Sequence, residues 1–503
     1  MMKIKILDGV NTIGGNKILV SEYGENYLLD FGMNFNLYKK YFEEFMKERS
    51  RRGIYDLWKL NLIPRYNIYR KDLIPSDLVN EINGYENPKI NGIFISHGHL
   101  DHTGNIALLD ENIPVLGTPE TMLILKSLSD ISKGGMGMEI PFFNVRKRED
   151  YILKSGDEIN SRDIYLSEKI SDKTYDFLSQ KFVKKKDVNS GIISDIDGFN
   201  SRLEMNIIKV DHSIYGSSGI FIKGDISIAY TGDFRLHGKY SSYSYDFINR
   251  VRDAEILIVE GTRISRENDE NLSEDDVYRN ALSIAQDTKN LIIADFSSRN
   301  FERLETFKRI AEKTSRNLIV TKKDAFSLYA LDTYKNENIL KDLMIYDEKS
   351  TRTENWERFL DDNINNELLS PLEIRKNQEK YILCFSFYDL NELLDIEPLE
   401  KSSYIYSSSE AFGEEDYFSF DRLLNWLEFF KLDVYGIKRT ENGIDFPKGL
   451  HASGHVSGND LFKVIENIDP ERIIPVHTTN PEWFRKNFPE KAILPEIQKE
   501  YSF

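Results

Sequence analysis

Three of the chain's eight histidines fall within six residues, His97-Gly98-His99-Leu100-Asp101-His102. A run so rich in metal-binding side chains constrains the fold, because the surrounding chain must turn around the ions it recruits. The apolar run Ile93-Phe94-Ile95-Ser96 leads into the cluster and reads as a strand ending at it. On extended backbone, residues two apart point the same way, so His97 and His99 reach one metal. The chain then turns, and Asp101 and His102 address a second site. Two ions about 3.5–4 Å apart need a bridging ligand and further histidines.

Other apolar runs deliver polar residues at their ends in the same way. Asn206–Val210 precedes Asp211-His212, Ile226–Tyr230 precedes Thr231-Gly232-Asp233, and Ile256–Val259 precedes Glu260. His212 and Asp233 are the expected further ligands. His477, after Ile473-Ile474-Pro475-Val476, completes the second site. A lone histidine is more often a packed or surface residue, and His237 is read that way or as support for the site. Three histidines in one motif and three more in or near strand-end loops argue against that reading for the rest.

Composition narrows the chemistry. The single cysteine, Cys384, rules out an internal disulfide and a Cys-rich zinc module, so histidines and carboxylates must hold any metal. It also points to a reducing, cytoplasmic setting. No run approaches the roughly 18 apolar residues that span a bilayer. Met1 to Asp8 reads as a first strand, not a signal peptide. A net charge of −17 argues against a nonspecific nucleic-acid coat, but is compatible with a local basic groove. The clusters Arg51-Arg52 and Lys184-Lys185-Lys186 read better as solvated surface.

With 503 residues the chain exceeds one ordinary core. Strands at Ile4–Leu7, Lys17–Val20 and Asn26–Leu29, separated by Gly-rich turns, make an antiparallel start. Residues 34–90 interrupt the pattern. Leu37, Tyr38, Tyr41, Phe42, Phe45 and Met46 share one helical face, which predicts a helical insertion packed on the body, a lid being the sharper alternative. A first domain covers 1–262. Beyond it, strands alternate with helices, and Ser273-Glu274-Asp275-Asp276 resembles a capping box. This predicts an α/β domain with a parallel sheet over 263–440. Residues 441–503, with His451, His455 and His477, return to the first domain.

These residues resemble the metallo-β-lactamase superfamily, and within it the β-CASP nucleases, most closely ribonuclease J. Asp30 in Leu28-Leu29-Asp30-Phe31-Gly32, the His97–His102 cluster, His212 and Asp233 match the superfamily's four motifs in turn. Glu260, His455 in His451-Ala452-Ser453-Gly454-His455, and His477 match the three further β-CASP motifs. The resemblance covers nearly the whole chain except 34–90. It implies an α/β fold, an αββα sandwich with an inserted β-CASP domain over the active site. A histidine at the position of His477 goes with RNA-processing members. In the family a separate C-terminal domain contributes to dimerisation; the chain ends soon after His477 and is expected to lack it, so a homodimer stays open.

The implied activity is hydrolysis of RNA phosphodiesters with two divalent ions, zinc by ligand type or manganese. His97, His99 and His212 would hold the first ion, and Asp101, His102 and His477 the second. Asp233 would bridge them, and Asp30 would orient a ligand. His455 would protonate the leaving 3′ oxygen, with Glu260 setting its tautomer. Ser297, Ser298 and Arg299, before a helix, and His451 and Ser453 are candidate phosphate contacts. Such a phosphate loop favours 5′-to-3′ exonuclease action, with endonuclease action left open. A DNA-directed β-CASP nuclease and a small-molecule metallo-hydrolase are the alternatives.

Overall fold

The computed structural model describes residues 1–43, 45–132, 135–182, 187–265, 272–297, 299–349, 352–408 and 417–503. Two sheets face each other at its centre. The first has eight strands, running in space from Ile193–Asp195 through Ile164–Leu166, Val115–Gly117, Gly92–Phe94, Glu25–Phe31, Lys17–Glu22 and Lys3–Asp8 to Glu500–Ser502. The second has five, in the order Glu204–Lys209, Ser218–Lys223, Ser227–Tyr230, Ile256–Glu260 and Arg472–Val476.

Side-chain alternation explains why the sheets stack. Successive residues of a strand point to opposite faces. Ile4, Ile6, Ile18, Val20, Tyr27 and Leu29 face Ile220, Ile228, Ile256, Ile258 and Ile474 of the second sheet in one core. Their neighbours Leu7, Leu19 and Leu28 point outward into a different core. On the second sheet Leu257, Val259 and Ile473 point outward onto Phe247, Leu461, Val464, Ile465 and Phe484 of flanking helices. The central strands carry packed side chains on both faces, so a one-residue slip would exchange two sets of packed residues, and this pins the register. The result is the αββα layering expected from the sequence.

Residues 34–90 form part of the outer layer on the first sheet. Trp58, Tyr69, Leu73, Leu78 and Ile82 pack with Leu7, Leu19, Leu28 and Phe31. They lie on the face turned away from the second sheet, which is a structural layer and not a lid. The segment is helical in short pieces, Phe35–Tyr38, Tyr55–Lys59 and Ser76–Ile82, and of the stripe from Leu37 to Met46 only Leu37 and Tyr38 are in a helix among the described residues. Tyr38 and Phe42 pair their rings at 5.0 Å, while Tyr41, Phe45 and Met46 are exposed. Leu37, Tyr38 and Phe42 pack on the core while the rest of the stripe does not, too little apolar burial to hold a longer helix. Arg52 pairs with Asp77, and Lys184–Lys186 lie outside the described residues.

A third sheet carries the α/β region. Its seven strands, Leu368–Leu369, Leu343–Tyr346, Asn317–Val320, Tyr381–Cys384, Ile292–Asp295, Ser403–Tyr406 and Asp433–Tyr435, are all parallel. Helices cover both faces, as parallel strands require. The predicted capping box at Ser273 is present, opening helix Glu274–Asp287. This sheet joins the sandwich through helix Pro119–Ile131, whose Ser127 hydroxyl meets Ser327 at 3.1 Å. A small sheet of Phe142–Glu149, Ile152–Ser161 and Asp187–Asn189 was not foreseen. No helix among the described residues is long and apolar enough to cross a membrane.

Candidate metal centre

Every predicted metal ligand sits at or just beyond a strand end, on the edge where the two sheets of the sandwich meet. His97 follows strand Gly92–Phe94, His212 follows Glu204–Lys209, Asp233 follows Ser227–Tyr230, and His477 follows Arg472–Val476. The short helix Leu100–Thr103 turns Asp101 and His102 back toward the same point. Gly32 makes this turn possible. A Cβ there would lie 1.6 Å from the Asp101 carbonyl oxygen, so no other residue fits. His477 itself adopts a left-handed backbone, φ 52°. Such a conformation costs on the order of 1 kcal/mol and persists only where the surroundings fix it.

The ligand atoms converge in two groups. His97, His99 and His212 form one, and Asp101, His102, Asp233 and His477 the other, each with its donor atoms within 4.8 Å of one another. In the first, His97 Nε2 lies 3.1 Å from His99 Nδ1, which lies 3.3 Å from His212 Nε2. Asp233 stands between the groups. Its Oδ2 is 3.1 Å from His102 Nε2, 3.6 Å from His477 Nε2 and 3.8 Å from His97 Nε2. Its buried Oδ1 has no hydrogen-bond partner.

Neighbouring groups orient these rings. Asp30 Oδ2 lies 2.7 Å from His102 Nδ1, so the ring's other nitrogen faces the cluster. Ser96 donates to Asp30 through N and Oγ, and Tyr230 OH donates to it at 2.7 Å. His212 Nδ1 donates to Gly454 O at 2.6 Å, leaving Nε2 to face the cluster. His477 Nδ1 lies 2.9 Å from Thr262 Oγ1, whose hydroxyl donates to Glu260 Oε2 at 2.6 Å.

The charges show what the donor set lacks. Burial holds His97 and His212 well below the ordinary histidine value, helped by neighbouring imidazoles, and pushes His99 down to about 4. These three are neutral and present lone pairs. In the second group burial works against charge, but His102 and His477 outweigh it and hold the Asp233 carboxyl well below its usual range. His477 is in turn raised to about 9, with Asp233 overcoming burial. Protons on these imidazoles compensate the buried carboxylates. A divalent cation would do the same while using all the lone pairs, so the residues fit one at each group.

His455 lies at the margin. Its Nδ1 is 2.9 Å from Glu260 Oε2 and 3.9 Å from Asp233 Oδ2. Its side chain is 17% exposed. Burial lowers its pKa, but Glu260 outweighs this and raises it above the ordinary value. His212, Asp233 and His455 make a third grouping of donor atoms within 4.8 Å.

The candidate phosphate contacts separate. Arg299 reaches the centre, with Nη1 3.3 Å from Gly98 O. Ser297 is exposed, its Oγ accepting from Arg299 N at 3.4 Å, and Ser298 lies outside the described residues. The helix N-terminus is capped by Asn300, whose side chain accepts from Arg303 N. His451 is corrected as well. Its two ring nitrogens lie 3.0 Å from Ser408 O and 2.7 Å from Gly436 O, which spends the ring on holding a loop. Ser453 accepts from His455 N at 3.2 Å and is buried, so it supports His455. His237 Nε2 donates to the Ser453 carbonyl at 3.1 Å, a supporting role too. Sequence reasoning missed Ser96, Tyr230 and Thr262. Thr262 had a signal, two residues beyond Glu260 at the same strand end.

Comparison with known proteins agrees with this architecture. The family described as the metallo-beta-lactamase superfamily matches residues 69–170. The chain is 22% identical over 497 residues to a ribonuclease J of Methanocaldococcus jannaschii, covering 95% of this chain and 91% of the relative. It is 23% identical over 501 residues to a ribonuclease J of Pyrococcus abyssi, covering 95% and 90%. A span of 95% exceeds the chain without residues 34–90, so the likeness extends into that segment, contrary to the sequence reading. A crystal structure of a protein of unknown function from Enterococcus faecalis V583 shares the fold, with TM-score 0.68, 23% identity and 99% of both chains covered. The chain thus carries a metallo-beta-lactamase superfamily match over residues 69–170 and is similar to ribonuclease J along nearly its whole length.

Proposed function

We propose that the chain is a metal-dependent ribonuclease that hydrolyses RNA phosphodiesters, acting as a 5′-to-3′ exonuclease. The observation that carries this is His455, held through Nδ1 by Glu260 beside Asp233. A pure metal-binding site has no use for such a group, whereas a phosphodiesterase needs one to protonate its leaving oxygen. The full-length likeness to proteins named ribonuclease J supports RNA as the substrate.

Two divalent ions, when bound, activate water and neutralise charge on the phosphoryl oxygens. The imidazole-rich donor set suits zinc, with manganese as the alternative. His97, His99 and His212 would hold one, Asp101, His102 and His477 would hold the other, and Asp233, standing between the groups, would serve both. The remaining work falls to the chain's own residues. Arg299, beside Gly98, receives a phosphate oxygen next to the centre. The imidazole of His455, fixed by Glu260, presents Nε2 and its proton to the leaving 3′ oxygen. Water supplies hydroxide to phosphorus, the P–O3′ bond breaks, and the products are a 3′-hydroxyl and a 5′-phosphate. His455 then recovers its proton from solvent.

End-labelled oligonucleotides test the reading. The chain is expected to release mononucleotides from a 5′-monophosphorylated RNA, more slowly from its triphosphorylated form, and to leave matched DNA largely intact. Equal cleavage of DNA would move it to a DNA-directed enzyme. Cleavage at internal sites alone would remove the exonuclease mode.

A pH profile tests the proton donor. The acid must be protonated, so the rate falls as pH rises through its pKa. Glu260 raises that pKa, so the alkaline limb of the wild type lies above the ordinary histidine range. Glu260→Gln removes the charge and is expected to move that limb to lower pH, while Glu260→Asp keeps it. An unmoved limb in the Gln variant would assign the proton to another group.

A further inference from the structure

Beside His212 lies a tyrosine cluster that the hydrolysis chemistry does not use. The rings of Tyr240 and Tyr243 are nearly parallel, 8° apart in plane with centres 5.6 Å apart. Tyr215 meets Tyr240 edge-on at 5.5 Å. Lys335 Nζ sits 4.6 Å from the Tyr215 ring centre and 5.5 Å from that of Tyr240. His212, Ile214 and Tyr215 line one narrow pocket together with Tyr240, Tyr243 and Lys335, and Glu120 and Asp211 also reach it. It runs along the seam between the sandwich and the parallel-sheet region, because Tyr215 packs on Phe301 and Lys335 ends helix Lys322–Lys335.

The members have different duties. Tyr215 is scaffold, its hydroxyl donating to Glu305 at 2.8 Å and its ring packed on Phe301 at 5.3 Å. Tyr243 is 42% exposed, so part of its ring meets solvent. The nearby lysines Lys239 and Lys209 are neutralised by Glu305 and by Glu120 with Glu168. Lys335 has no carboxylate partner among the described residues. A cation without a counter-ion on a chain of net charge −17 creates a local positive spot where an anionic strand can settle. Flat aromatic faces take bases of any identity, and a lysine among them takes a phosphate.

We propose that Tyr240 and Tyr243, with Lys335, form a stacking platform for the single-stranded RNA on the His212 side of the metal centre. The inference rests on the ribonuclease reading and adds to it a strand path and the residues that grip it. The platform is sequence-tolerant, since it reads base faces and not base edges.

Binding of a short, hydrolysis-resistant phosphorothioate RNA to the full chain, followed by fluorescence anisotropy, tests this. Tyr243→Ala is expected to weaken binding about tenfold, the size of one lost stacked base. Tyr243→Trp restores it. Lys335→Ala lowers the salt dependence by about one counter-ion. Tyr245→Ala, exposed on the same helix but outside the cluster, leaves affinity as it was. If both Tyr243→Ala and Lys335→Ala bind within about twofold of wild type, the platform is overturned and the cluster is scaffold. Wild-type chain that neither binds nor cleaves RNA would instead overturn the ribonuclease reading itself.

Discussion

Asp233→Ala is expected to lose about 10²–10³ in turnover, and to lose bound metal as well, the scale set by removing one preorganised charge-stabilising group. Asp233 lies within 4 Å of His102, His477 and His97, so it serves both donor groups at once. Without its carboxylate each group keeps only ligands of its own. The stoichiometry measured by atomic emission should fall below two ions per chain. Removing one member of a buried charged pair also costs about 3–5 kcal/mol of stability. Asp233→Asn, which keeps the shape, separates metal loss from unfolding when both variants are followed by circular dichroism. A folded Asn variant with full metal content would remove Asp233 from its bridging position.

His455→Ala is expected to behave in the opposite way toward metal. It should keep both ions and lose about 10²–10⁴ in turnover, the usual contribution of a general acid. Glu260 would remain held by Thr262 Oγ1 and by Phe234 N at 2.9 Å, so the strand end has no reason to move. The measurement has force because His455 also falls in a grouping with His212 and Asp233 that has metal-binding dimensions. Loss of an ion in this variant would make His455 a ligand and leave the leaving oxygen without its donor.

The parallel sheet could be read from the sequence because strand–helix alternation is a local signal, whereas the αββα layers were implied by the resemblance that the metal motifs carry. The seven predicted ligands converge because each sits next to a strand end that the alternation defines. The failures have physical causes. The stripe from Leu37 to Met46 has helical spacing, but only Leu37, Tyr38 and Phe42 reach the core while Tyr41, Phe45 and Met46 stay exposed, too little burial to hold a longer helix. His451 carries a metal-type side chain, yet two backbone carbonyls claim it, and such partners are fixed only by tertiary folding. Ser96, Tyr230 and Thr262 are ordinary residues whose value lies in where their hydroxyls point. Asp30 was expected to orient a ligand, but its three supporting hydrogen bonds, from Ser96 and Tyr230, were not legible, one partner lying 200 residues along the chain.

The pairing of His477 with Asp101 spans 376 residues, and strand Arg472–Val476 docks in parallel on Ile256–Glu260 across the whole α/β region. During synthesis, then, the first histidines leave the ribosome long before the ligands that complete their site. The second sheet lacks its last strand until residue 476 emerges, and contacts of such sequence separation form late and slowly. The donor set that would hold the metals therefore stays incomplete until His477 has been made.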